Sequence, residues 1–216
     1  MNRFSLILCL CCFAQALAIP NVPSNARLLG LLDHEVVVYQ VDSAGNSTDE
    51  FHALCRDLKI SCGEEKFFGE IDIWPPASIN VWRREKMTLR SALARIIKKQ
   101  PQYEWHISDG VLMLAPRIMN KYGPLDRHVA HYKTESNYLA SVIIAMADLA
   151  GVEYASVMRA SSASADESTV SLDVRDASVR FILNSAVRAH GSAMWTFTYT
   201  APSESGKRDY LSVDVY

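Results

Sequence analysis

The sequence predicts an α+β protein built of two small repeated α/β sandwich domains, each running strand–helix–strand–helix–strand–strand. Three observations predict it. Residues Thr88 to Pro116 read as one helix followed by a two-strand hairpin. The apolar spacing of that helix, Leu89, Ala92, Leu93, Ile96 and Ile97, returns 90 positions later as Val179, Ile182, Leu183, Ala186 and Val187, and Trp195 likewise stands 90 after Trp105. Both sets fall at i, i+3, i+4, i+7 and i+8, the single stripe of an amphipathic helix, and such a helix must bury its stripe on a sheet.

The first 18 residues read as a cleaved export signal: Arg3 supplies the positive start, Leu6 to Phe13 the apolar run and Ala16-Leu17-Ala18 the cleavage site. The apolar run is too short to span a bilayer. Its removal leaves 216 − 18 = 198 residues, room for two domains of ~100 residues. The signal takes Arg3 with it, so the mature charge is 21 − 24 = −3. With no basic cluster, nucleic acid is excluded as the partner, and no later stretch has membrane-spanning length. The expected compartment is the periplasm or the exterior.

Residues 19–32 read as an extended leader, 33–117 as the first domain, 118–126 as a linker around Gly123-Pro124, and 127–216 as the second domain. Glu35 to Val41 is β-branched and aromatic, hence a strand. Ser47 and Glu50 form a capping-box pattern opening a helix with Phe51, Leu54, Cys55 and Leu58 on its apolar face. Asn46-Ser47-Thr48 also fits the N-glycosylation pattern, a short match that recurs by chance. Glu64 to Ala77 reads as irregular, with Phe67, Phe68, Ile71, Ile73 and Trp74 either wrapping the core edge or offering a contact surface. A strand begins at Ile79 to Trp82 and leads into the helix capped by Thr88, ended by Lys98, Lys99 and Pro101. Tyr103, Trp105 and Ile107 alternate, Asp109-Gly110 turns, and Val111 to Leu114 returns.

In the second half Arg127 to Tyr132 is a short strand, and Leu139, Val142, Ile143 and Met146 line a helix ending near Gly151. The stretch from Ser156 to Thr169 is a polar loop. Val170, Leu172 and Val174 alternate as a strand one residue shorter than its counterpart, so a bulge is expected. Ser178 opens the last helix, and MWTFTYT and Leu211 to Val215 form the final hairpin around a loop from Ala201 to Asp209.

Five cysteines occur, and only Cys55 and Cys62 survive maturation. In an oxidising compartment the pair is read first as a disulfide, with two separately buried thiols as the alternative. Seven residues on an unbroken helix would separate the Cα atoms by about 10 Å, beyond disulfide reach, so the helix must end near Ile60 and the chain fold back, which Gly63 would permit.

No catalytic constellation is expected. His128 and His131 lie three apart on a strand, point to opposite faces and cannot share a metal. No G-x-S-x-G elbow, phosphate loop or H-E-x-x-H helix is present. Glu64-Glu65 with Asp72 could pair as carboxylates, but adjacent glutamates read as solvated charge. Arg83 and Arg84 beside Trp82 could grip a carboxylate or an aromatic partner, against the plainer reading of a solvated strand face. No cofactor or metal is expected.

Thr88 to Leu93 with Trp105 to Leu114, and again Ser178 to Leu183 with Trp195 to Tyr199, preceded by helices at Phe51 to Ile60 and Leu139 to Ala150, give an element order that resembles the secretin and TonB short N-terminal domain. The resemblance covers most of residues 33–216 and implies a periplasmic protein–protein interaction module. The expected function is therefore a cell-envelope adaptor with a protein partner, a secretin or TonB-dependent system being the implied setting. Candidate partner-binding residues are Phe67, Phe68, Trp74, Trp82, Arg83 and Arg84. Leu211, Val213 and Val215, on a terminal strand read as an open sheet edge, join them. The alternative is a protein that binds a small ligand or glycan in the cleft between the halves.

Overall fold

The computed structural model describes residues 25–41, 47–67, 82–117, 123–154, 158–159, 169–200 and 209–216. The export signal, the turn at Asn46, the aromatic segment from Phe68 through Ile71 and Ile73 to Trp74, and the loop at 201–208 lie outside them. The protein is mixed α+β. In chain order the elements are α1 (Ala26–Leu31), β1 (Glu35–Val41), α2 (Ser47–Leu58), β2 (Cys62–Phe67), β3 (Trp82–Thr88), α3 (Leu89–Lys99), β4 (Tyr103–Ser108) and β5 (Val111–Pro116). After a 3-10 turn at Pro124–Asp126 come β6 (His128–Tyr138), α4 (Leu139–Ala150), β7 (Glu153–Tyr154), β8 (Met158–Arg159), β9 (Thr169–Ser178), α5 (Val179–His190), β10 (Ala193–Tyr199) and β11 (Tyr210–Val215).

The main sheet has the order β4-β5-β2-β10-β11-β7, with β8 also on β11. Its first three strands come from the first half of the chain and the rest from the second. Each half contributes the same trio: a hairpin whose second strand pairs in parallel with the strand that follows α2 in the first half and α4 in the second. A second pair in each half, β1–β3 and β6–β9, forms a separate antiparallel ribbon.

The halves therefore do not keep separate sheets. They join where β2 runs parallel to β10, in the register Cys62↔Met194 to Phe67↔Tyr199. Strand order is preserved across this join while strand direction reverses, which requires the second trio to be turned over relative to the first. Its helices thus lie on the opposite face. Cys62, Leu112, Leu114 and Met194 pack with α2 and α3, while Val111, Met113, Trp195, Phe197, Leu211 and Val213 pack with α4 and α5. The result is three layers, helices–sheet–helices, and each half's helices cover sheet contributed by the other.

Several local expectations are refined. Residues 26–31 are helical rather than extended, because Leu28 and Leu32, four apart, both enter the core. The start of the stretch read as irregular from Glu64 to Ala77 belongs instead to the central parallel strand, Cys62–Phe67. The chain reversal before it is made by Lys59 in the left-handed region (φ 49). Gly63 serves another purpose: a Cβ there would come within 2.7 Å of the Trp195 ring and 2.6 Å of Met113 Sδ. The bulge expected on one of the two compared strands is not on β3, whose register with β1 is unbroken; the register shift lies instead on β6, between Thr134 and Asn137, and β6 continues to Tyr138. The caps expected at Thr88 and Ser178 match the geometry. Thr88 accepts from the Ser91 amide and Ser178 from the Phe181 amide, each at 3.2 Å. Asp109 and Gly110 both have positive φ (53 and 78), which a two-residue type I′ hairpin turn requires.

Candidate functional site

The disulfide is present: Cys55 and Cys62 are bridged with Cα atoms 6.3 Å apart. It pins the last turn of α2 to the first residue of β2. His52 lies three residues before Cys55, on the same helix face, and Glu64 lies two after Cys62, on the same strand face. The next rung of this ladder is therefore His52 Nε2 against Glu64 Oε2, at 2.8 Å.

Glu64 and Glu65 overturn the reading of adjacent glutamates as solvated charge: they are 0% and 1% exposed. They sit on neighbouring positions of one strand and so point to opposite faces. Glu65 faces α5, where Arg180 donates to it through Nε at 2.6 Å and Nη2 at 3.2 Å, and the Tyr199 hydroxyl donates at 2.8 Å. Arg180 also binds Asp126. Burial works against the Arg180 charge, but Glu65 and Asp126 outweigh it and raise its pKa, while burial and Glu65 together push the Tyr199 hydroxyl up. This clasp is satisfied on all sides and ties β2 to the second half.

Glu64 is different. It belongs to a grid of side chains on the face shared with α2, read directly from register: Cys62–Met194–Asp214, Glu64–Thr196–Ser212 and Lys66–Thr198–Tyr210 across β2, β10 and β11. Beyond the first row the grid is polar. Thr196 and Thr198 are 3% and 1% exposed. Among the described residues, their hydroxyls and Glu64 Oε1 have no hydrogen-bond partner. Around this floor stand partly exposed groups. Lys66 Nζ is 3.9 Å from Glu64 Oε2, and Asp214 Oδ2 is 3.8 Å from His52 Nδ1. Burial disfavours the charged forms of both His52 and Glu64. Their mutual attraction and hydrogen bond outweigh it, holding the imidazole above its ordinary value and the carboxyl below. Burial raises the Asp214 carboxyl, against the pull of His52.

The structure places the expected partner-binding residues apart. Leu211, Val213 and Val215 are buried, and β11 is flanked by β10 on one side and by β7 and β8 on the other. The terminal strand is thus an inner strand, because β7 and β8 occupy the side read as open. Phe67, 37% exposed, packs its ring against Tyr199 at 5.6 Å. Trp82 and Arg83 lie on β3, and Arg84 beside them is exposed. Phe68 and Trp74 lie outside the described residues. Glu50, expected as a cap, is buried and receives Lys99 Nζ, with Arg95 Nε 3.8 Å away. His128 and His131 pair with different aspartates, Asp176 and Asp173. Among the described residues no group of His, Cys, Asp and Glu could hold a metal, and no helix is long and apolar enough to cross a membrane.

Sequence reading missed the grid as a unit. The alternation in MWTFTYT and LSVDV marks Thr196, Thr198, Ser212 and Asp214 as one polar face, but nothing in the sequence aligns that face with Glu64 and His52, more than 100 residues away. In comparisons with known proteins, no family model, no curated protein and no solved structure matches the chain.

Proposed function

We propose that the protein is an exported cell-envelope adaptor that binds a protein partner and is not an enzyme. Each half is read as one copy of a module resembling the secretin and TonB short N-terminal domain, working in the periplasm or outside the cell. The matching strand order of the two halves supports this reading. The observation that carries it is β4. This strand ends the sheet, bonded to β5 on one side with no strand beyond it among the described residues. Its counterpart β10 has the same side filled, by β2 in parallel. Strand addition at this position is therefore already practised inside the molecule, and a partner strand supplies it at β4.

Pairing geometry selects the test. Ser108↔Val111 closes a two-residue turn, so Ser108, His106 and Glu104 direct their amides to β5, while Ile107 and Trp105 direct theirs outward. Ile107→Pro removes an outward donor, whereas Ile107→Ala keeps it. In pull-downs from envelope extracts, the alanine variant is expected to retain the partner captured by the native chain and the folded proline variant to lose it. Capture equal in both variants would reject the adaptor reading at this edge.

A further inference from the structure

We propose that the partner at β4 is a second copy of this chain, the two β4 strands pairing antiparallel about a two-fold axis at His106. The two main sheets then join into one. This dimer rests on the reading of β4 as the open pairing edge and gives its partner strand an identity.

Hydrogen-bonding groups left along the edge set the register. At Tyr103 the chain closes the edge itself: the N–H donates to the Gln100 carbonyl at 3.0 Å, and the carbonyl accepts from Arg117 Nε at 3.1 Å. At the other end the strand stops at the Asp109-Gly110 turn. Between these limits Trp105 and Ile107 point their N–H and C=O groups outward, and among the described residues no hydrogen bond reaches them. An antiparallel partner exchanges both groups with the residue opposite, at every second position. One two-fold register uses all four groups. It sets Trp105 opposite Ile107 of the second copy, Ile107 opposite Trp105 of the second copy, and His106 on the axis. An axis at Trp105 would set Ile107 against Tyr103, whose groups are taken. An axis at Ile107 would set Trp105 against Asp109, inside the turn.

Side chains agree with that register. Trp105 and Ile107 are half-buried and pack on the core beneath α2 and α3. The dimer turns them into an aromatic–β-branched cross-strand pair, a favourable combination, and makes it twice. On the other face Glu104 and His106 are exposed, leaving that side open to a neighbour. Glu104 falls opposite Ser108 and diagonal to His106 of the second copy, whose ring N–H suits a carboxylate acceptor. No carboxylate meets another. The far end of the sheet is blunted instead: β7 and β8 have two residues each, and such short edge strands discourage pairing. By contrast β4 has six residues, with no proline or lysine among them. With one such edge on each main sheet, the two-fold contact closes as a dimer rather than growing into a filament.

The test uses the full oxidised chain. Sedimentation equilibrium should show a reversible dimer with a Kd on the order of 100 µM, the weak association expected of a small contact. Cysteine cross-linking reads the register. His106→Cys sets two thiols opposite each other in a non-hydrogen-bonded pair, with Cα atoms about 4.5 Å apart and within disulfide reach. Glu104→Cys leaves its two thiols about four residues out of step, ~13 Å along the strands and beyond that reach. Mild oxidation should therefore cross-link the first variant about tenfold faster than the second, or more. His106→Glu, a change at an exposed position that sets carboxylates face to face, should weaken the dimer about tenfold, and His106→Gln should retain it. A chain that stays monomeric up to about 1 mM, equal cross-linking of the two cysteine variants, or a dimer unaffected by His106→Glu would each overturn the proposal. The adaptor reading stands or falls separately. A monomeric chain that captures a different envelope protein, lost on Ile107→Pro, keeps the adaptor and removes the dimer. A dimer that captures nothing else keeps the dimer and removes the envelope partner.

Discussion

The two faces of the shared sheet at β10 and β11 are made from alternate residues of the same strands, yet they solve burial differently. Under α4 and α5, Trp195, Phe197, Leu211 and Val213 close the face with apolar surface. The Trp195 indole N–H donates to Asn184 Oδ1 at 2.9 Å, so the only polar atom of that side chain is satisfied. Beside α2, Thr196, Thr198, Ser212 and Asp214 occupy the alternate positions, and the hydroxyls of Thr196 and Thr198 find no partner among the described residues. The first face carries stability in its packing density. The second is held by discrete links, the disulfide and the His52–Glu64 pair, and keeps free hydrogen-bonding capacity. The second face therefore draws its stability from those links rather than from apolar packing.

Removing packing from the apolar face should have the largest effect. Trp195→Ala deletes a fully buried ring that fills the space above Gly63, and a loss of about 3–5 kcal/mol is expected from urea unfolding. A loss below about 1 kcal/mol would mean that this face is not the stabilising one.

Breaking the covalent link of the polar face comes next. The double variant Cys55→Ala/Cys62→Ala opens a short loop, and chain-entropy reasoning gives a loss of about 2 kcal/mol. The same variant should shift the His52 imidazole resonances, since α2 is then no longer pinned over Glu64. Unchanged His52 resonances would separate the disulfide from the positioning of the pair.

A smaller contrast is linked to pH. His52 titrates in the fold above its ordinary 6.5, so its contribution is complete below pH 6.5 and is lost as pH rises through the folded value. Glu64 titrates below its ordinary 4.5, so its contribution is complete above pH 4.5 and is lost as pH falls through the folded value. The pair should therefore stabilise most between those limits. Unfolding midpoints of the native chain should fall as pH rises above 6.5, and His52→Gln should flatten that decline. An equally steep alkaline decline in the variant would assign the effect to other groups.

The smallest effect sharpens the comparison most. Thr196→Val replaces an unpaired buried hydroxyl with a methyl of the same shape, so stability should be unchanged or higher by up to about 1 kcal/mol. A loss above about 1 kcal/mol would show that the Thr196 hydroxyl is bonded in solution and that the two faces are more alike than their chemistry suggests.

Much of the fold is legible along the chain because it rests on local physics. Helical stripes at Leu89–Ile97 and Val179–Val187, the caps at Thr88 and Ser178 and the Asp109-Gly110 turn each depend on residues a few positions apart. The recurrence of the pattern predicted that the halves would be built alike. The errors have one origin. Cys62–Phe67 carries too many charges to read as a strand, and becomes one because β5 and β10 supply hydrogen bonds on both sides and Arg180, Tyr199 and His52 neutralise its glutamates. Leu211 to Val215 alternates as an edge strand would, and alternation reports which face is buried while saying nothing about what lies alongside. That β2 meets β10 in parallel, turning one half over and placing Glu64 beside Thr196, was decided by tertiary structure alone. Backbone hydrogen bonds between strands carry no side-chain signature, so periodicity can announce two polar faces but cannot register one against the other.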